Sequence, residues 1–254
     1  MHVGNARPRS VNRKIVMTET LTRPEIDTSS VPANQFTCFW LYQRAESWYT
    51  QSPESWARAD TELLTVLGKT DAGYSVRGVY SSVGLSAKVD VIVWGVAPTL
   101  DILQNLAIAV DKTAIGRQLR LRDVYYGVAG MSKYDPTHGP AFIKGDLPKR
   151  YLSVYPFAKT PTWFLLPFQE RRDLMVAHGK LGREYPSVLT NTVNSFGIAD
   201  QEWIVALEDD DPEILVNMVQ KLREAKVREW TAIDTPIYLG ERKDPAAVLQ
   251  DLHG

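Results

Sequence analysis

One cysteine, Cys38, stands in 254 residues, so the chain can form no internal disulfide and can build no cysteine zinc site. Neither sign of charge is in excess. The 29 Lys and Arg against 30 Asp and Glu leave a formal net charge of −1, which gives no reason to expect nucleic acid or an anionic membrane as partner. No apolar run approaches the ~20 residues of a membrane span. The first 34 residues also lack the apolar core of a secretory signal. Histidine is scarce: there are 4, at 2, 138, 178 and 253. What these absences leave is a soluble globular chain, 44% hydrophobic, long enough for one large domain or two small ones and suited to a reducing cytoplasm.

Residues 1–34 are basic and poor in apolar side chains, and are expected to form a mobile arm, with Met17 as an alternative start. Beyond them the order of elements repeats. In the first half, 35–130, strands are expected at 37–43, 73–84, 88–96 and 121–130, and helices at 53–69 and 99–110. In the second, 150–242, strands are expected at 150–157, 189–197, 201–208 and 228–240. Helices are expected at 167–180, stopped by Gly179, and at 211–223, with Asp211 as N-cap and Pro212 in first position. A Gly-, Pro- and Lys-rich linker, 131–149, joins the halves, and 243–254 reads as a tail.

The repeat is also local. "DVIVWGV…LDILQNL" aligns with "EWIVALE…PEILVNM" at an offset of 112, and "YSSVG" with "VNSFG" at 113. Each half thus reads βαββαβ. This predicts an α+β fold: two ferredoxin-like sheets with parallel pairing across the helices, each helix-covered on one face, burying their free faces against each other as a barrel-like core.

His2 and His253 lie at the chain ends and are expected in solvent. His178 follows Leu174 and Met175 by one helical turn, so it projects from an apolar face, and Gly179 leaves room beside it. A structural histidine and a helix cap are the ordinary uses of such residues. A lone imidazole without a second histidine, cysteine or carboxylate nearby makes a poor zinc site but a good axial ligand for haem. Tyr155 alternates with Tyr151, Ser153 and Phe157 on one strand face, and Lys159 follows with the same parity. The acidic run "EDDDPE" reads as a helix N-terminus.

"YPFAK…WFLLPFQERRDLMVAHGKLGREY…SFGIADQEWIVAL" resembles the chlorite dismutase-like family, and within it the coproheme decarboxylases of Gram-positive bacteria. The similarity runs over 36–242 and is strongest from 150 to 240. The resemblance implies a duplicated ferredoxin-like barrel, commonly in rings of five, whose C-terminal half alone binds the porphyrin. It implies that His178 is the proximal iron ligand, Tyr155 the catalytic tyrosine and Lys159 a propionate contact. Trp163 and Trp203 match tryptophans near the porphyrin, with core packing as their ordinary alternative, and Arg228 is a further candidate for a propionate, beside Lys144, Lys149 and Arg150.

Chlorite dismutases carry a distal arginine thirteen residues after the proximal histidine; here that residue is Asn191, counted among the cofactor contacts, so chlorite chemistry is disfavoured. The actinobacterial branch uses a linker histidine, and "DPTHGP" supplies His138 as the base for peroxide. The implied reaction uses H₂O₂ to convert two propionates of Fe-coproporphyrin III to vinyls through a tyrosyl radical, giving haem b by way of a three-propionate species. The implied setting is a cytoplasmic homopentamer in transient contact with ferrochelatase. The alternatives are a chlorite dismutase or haem peroxidase on the same fold, a haem carrier or sensor without turnover, and a structural duplication without cofactor.

Overall fold

The computed structural model describes residues 1, 35–50, 52–69 and 71–254. Met1 apart, the arm expected over 1–34, with His2, lies outside them. The first half runs β1 (Phe36–Arg44), α1 (Pro53–Leu67), β2 (Ser75–Ser81), β3 (Val91–Ala97), α2 (Leu100–Lys112) and β4 (Leu119–Val128). The second runs β5 (Tyr151–Lys159), α3 (Pro161–Leu165), α4 (Phe168–Gly182), β6 (Leu189–Asn194), β7 (Trp203–Asp209), α5 (Pro212–Arg223), β8 (Thr231–Ile233) and β9 (Tyr238–Lys243), and α6 (Pro245–His253) ends the chain.

The strand order is β4-β1-β3-β2 in one half and β9-β5-β7-β6 in the other, the same ferredoxin-like order twice. Every neighbouring pair is antiparallel, which corrects the expected parallel pairing. A crossover helix does link two strands of the same sense, but a third strand lies between them. The halves join where β2 pairs with β9 and where Val128 of β4 pairs with Asn194 of β6, so the sheet closes on itself. Alternation then sends one side chain inward and the next outward. Phe39, Leu41, Tyr80, Ile92, Trp94, Leu152, Val154, Ile204 and Ala206 fill the barrel.

The expected last strand, 228–240, is two. β8 pairs with the end of β5 and β9 with its start, and the break falls around Pro236, which has no N–H to give a ladder. The expected tail is also a helix. Asp244 caps α6 by accepting from Ala246 N at 2.9 Å, and Val248, Leu249 and Leu252 are buried against the outer face of the first half. His253 is therefore not in free solvent. It stacks on Trp48 with centroids 5.4 Å apart and bonds Asp60 at 3.0 Å. An Asp-Pro start ahead of apolar residues four apart was the available signal.

Helix cover differs between the halves, and the difference makes the site. α1, α2, α5 and α6 each bury at least two side chains below the surface. α4 buries none; its inner face, Leu174, Met175, His178 and Leu181, is only half-covered. Among the described residues no helix is long and apolar enough to cross a membrane.

Candidate functional site

α4 starts after Pro167 and runs through Gly179 to Gly182, so Gly179 does not stop it. Its last turn closes at Arg183, whose N–H reaches the Gly179 carbonyl at 3.1 Å. The glycine leaves space instead: an added Cβ there would meet only the Arg183 guanidinium, at 3.7 Å. His178 sits one residue earlier on the half-covered face. Its Nδ1 is buried and has no hydrogen-bond partner. Burial first, then the charge of Lys159 and that of His138, lower its pKa to about 4. The ring is therefore neutral over the physiological range, the form in which imidazole binds metal.

The Lys159 charge that acts on His178 comes from the end of β5, whose outward face also carries Tyr155. Tyr155 pairs in register with Val205 and joins the cluster of Tyr151, Val205 and Leu239 under α5. Desolvation raises its phenol to about 12; Asp234 adds to the rise, and Arg223 and Arg228 oppose it. The hydroxyl keeps its hydrogen at neutral pH. Lys159 ends the same strand and is 8% exposed. Its Nζ donates to the Val227 carbonyl at 3.1 Å and lies 4.9 Å over the Trp163 ring. Burial, then repulsion by Arg228, bring it down to about 8, against the pull of Glu202.

The short helix α3, absent from the sequence reading, seats Trp163, which is 1% exposed, between Tyr134 and Trp230. Trp203 at the start of β7 is half-buried and closes an aromatic box with Phe157, Phe164 and Phe196, centroids 6.1, 6.4 and 4.5 Å away. Of these, only the two tryptophans were singled out from the sequence. Arg228 shares the Asp234 carboxylate with Arg223, the latter at 2.7 Å. Arg223 and Asp234 escaped sequence reading because nothing in "KLREAKVREW" or "AIDTP" marks them; α5, which covers the Tyr155 cluster and ends at Arg223, and β8, which returns beside β5 and leads into Asp234, bring them to Tyr155. Lys149 and Arg150 face other partners, Asp209 at 3.6 Å and Glu241 at 2.7 Å.

His138 lies in the linker with its side chain exposed. Partial burial of its ring, with Lys144 and Arg183, lowers its pKa, and Asp135 works the other way. Its charge is felt at His178, so the two histidines and Lys159 share one neighbourhood. Asn191 does not join them. It is 0% exposed inside the barrel, where its Oδ1 accepts from Phe142 N at 3.0 Å and its Nδ2 donates to Glu208 Oε1 at 3.0 Å. Its outward-pointing neighbours, Thr190 and Thr192, carry no charge.

Among the described residues no three His, Cys, Asp or Glu gather as a bare-ion site. The donor set does fit a porphyrin iron: one neutral imidazole on an under-covered helix, aromatic walls, and a buried lysine and two arginines for carboxylates.

The sequence profile described as chlorite dismutase matches residues 56–243. A protein of Mycolicibacterium smegmatis named coproheme decarboxylase is 35% identical over 192 residues, 73% of this chain and 82% of that one. The solved structure of chlorite dismutase from Candidatus Nitrospira defluvii in complex with imidazole superposes with a TM-score of 0.78 at 23% identity, over 87% of this chain and 95% of that one. A mutant form of the same enzyme gives 0.79 at 23% over the same shares. At that identity the superpositions establish the fold; the profile and the mycobacterial relative, each spanning most of the sequence, establish the descent. The chain belongs to the chlorite dismutase family.

Proposed function

We propose that this chain is a coproheme decarboxylase. It takes Fe-coproporphyrin III and hydrogen peroxide, turns two propionates into vinyl groups, and releases two CO₂ and haem b through a three-propionate intermediate. One observation carries the reading. Tyr155 and Lys159 stand on one strand, and the Lys159 charge acts on a neutral imidazole presented by a helix that buries no side chain. The decarboxylase name of the mycobacterial relative supports it.

The reaction balances with one peroxide per propionate. The propionate loses CO₂, a β-hydrogen as a proton and two electrons; peroxide takes the two electrons and two protons and becomes two waters. His178 would hold the iron, and the bound porphyrin iron supplies the redox centre through which peroxide oxidises the protein. His138 would take a proton from peroxide at its imidazole lone pair, which its lowered pKa keeps free. Tyr155 would give up its Oη hydrogen and then take one from the propionate β-carbon. That C–H is too weakly acidic for any base at neutral pH, so a radical is required, and a phenol can carry one. Lys159, Arg223 and Arg228 would hold carboxylates, with Asp234 occupying the arginines meanwhile. Trp163 and Trp203 would wall the ring.

A carrier needs neither the phenol nor the linker base. Chlorite turnover is disfavoured because neither Asn191 nor its outward neighbours offer a cation. A ring of five subunits, a cytoplasmic setting and transient contact with ferrochelatase belong to the same reading, and sizing and pull-down experiments address them. The central test is to add coproheme and H₂O₂ to the purified protein and follow product mass. Loss of two CO₂ is expected. Intact coproheme beside steady O₂ release from chlorite would replace this reading with the chlorite one.

A further inference from the structure

We propose that Asn191 is a positioning residue: with Glu208 and Arg77 it fixes, from inside the barrel, the linker that carries His138. The inference rests on His138 being the peroxide base. Residues 129–150 hold one short helical turn, Ala141–Lys144, and no strand, so regular structure does not set where His138 stands. Local bonds shape 132–138 without attaching it elsewhere: Ser132 N donates to the His138 carbonyl at 2.8 Å, and His138 N to the Asp135 carbonyl at 2.9 Å.

Tyr134 holds the segment before His138 by packing on Trp163 and Phe168, with centroids 6.4 and 5.8 Å away; after His138, attachment comes from three buried side chains. Asn191 on β6 accepts from Phe142 N at 3.0 Å. Glu208 on β7 accepts from Lys149 N at 3.1 Å and from the Asn191 amide at 3.0 Å. Arg77 on β2 donates to Glu208 through Nη2 at 2.7 Å and Nε at 3.2 Å, and through Nη1 to the Asp146 carbonyl at 2.7 Å. Both halves of the barrel thus grip the linker backbone at 142, 146 and 149. Arg77 lies 4.9 Å over Trp94, and Phe142 meets the same ring edge-on at 5.8 Å, so the grip is also packed.

The hold at Phe142 reaches His138 through a stiff link. Pro140 fixes its own φ, here at −56°, and it and Gly139 are both buried. Only a side chain that accepts from one neighbour and donates to the other serves at 191. That need explains an asparagine at a position with 0% exposure.

Valine and threonine nearly match in size and both suit a strand, but only threonine keeps a hydroxyl that can accept and donate. With coproheme bound, Asn191→Val should bind the porphyrin as the parent does and react with H₂O₂ about tenfold more slowly, at unchanged KM, as expected for a displaced catalytic group. Asn191→Thr should recover most of the rate. In a His138→Ala background, Asn191→Val should cause no further loss, because both changes remove the same contribution. Amide exchange in the unaltered holoprotein should show Phe142 N protected like the barrel strands. Parental rates in Asn191→Val, an equal loss with and without His138, or fast exchange at Phe142 would each overturn the proposal. If His138→Ala itself reacts at the parental rate, the base assignment fails first and takes this inference with it.

Discussion

The Lys159 ammonium hangs from the main-chain carbonyl of Val227 at 3.1 Å, 8% exposed, and forms no ion pair among the described residues. A buried cation that bonds only a carbonyl, beside two aromatic rings and with Glu202 acting on it without an ion pair, is under-compensated, and an arriving carboxylate would complete it. Lys159→Met keeps the stem and removes the charge. It should weaken coproheme binding about ten- to a hundredfold, the worth of a charge-assisted bond of about 1.5–3 kcal/mol. The melting temperature of the protein without porphyrin should hold or rise, since an unpaired buried charge is gone. Titration by absorbance and a thermal melt check both; unchanged affinity with a lower melting temperature would make Lys159 structural.

Tyr155 keeps its proton at neutral pH because burial and Asp234 raise its phenol to about 12, so what it can lose is a hydrogen atom. Tyr155→Phe preserves the ring that packs beside Val205 and Leu239 and deletes the hydroxyl. The variant should bind coproheme with near-parental affinity, still consume peroxide, and yield neither the one- nor the two-vinyl product. Mass spectrometry decides. Haem b at the parental rate would move the radical elsewhere, with Trp203 and Tyr151 next to try.

The helix-strand order was legible because each half repeats its apolar periods, and the elements bearing His178, Tyr155 and Lys159 were legible because a helical period places the first and strand alternation the other two. Asn191 shows where that logic ends. Counting from His178 brings it toward the porphyrin, but the pleat of β6 turns it into the barrel, beside Ala206. Which face a strand residue takes depends on register with β7, and register is a pairing of distant residues. Arg223 and Asp234 were hidden for the same reason: Arg223 reaches Tyr155 from the end of α5, which packs over its cluster, and Asp234 from the end of β8, three residues long, which returns beside β5.

His138 gives a pH-dependent expectation. Partial burial, Lys144 and Arg183 hold its pKa below the ordinary histidine value of about 6.5. A base works when deprotonated, so a lowered pKa extends activity to lower pH. The rate of reaction with peroxide should rise with pH along a limb centred below about 6.5, and that limb should vanish in His138→Ala. At higher pH the variant should approach the parent as hydroperoxide forms unaided. Stopped-flow rates across pH in both proteins measure this. A limb of the same midpoint in His138→Ala would assign it to another group.

His178 links the site to acid stability. Its pKa is about 4 in the fold and about 6.5 in an unfolded chain, because burial and the charges of Lys159 and His138 disfavour imidazolium. The unfolded chain therefore takes up a proton before the folded one does. Stability from this group is complete above about pH 6.5 and is lost as pH falls through about 4, by no more than about 3 kcal/mol for a half-covered ring. His178→Leu fills similar space, cannot titrate and cannot bind iron. Without porphyrin, its melting temperature should fall less than the parent's between pH 6.5 and 4, while the two agree in slope above pH 7. With coproheme, both His178→Leu and the cavity-forming His178→Ala should lose the parental absorption and electron paramagnetic resonance signature, and added imidazole should restore it in part in His178→Ala alone. Superimposable acid profiles would show that His178 is not held neutral by its surroundings, and an unchanged coproheme spectrum would give the iron to a different residue.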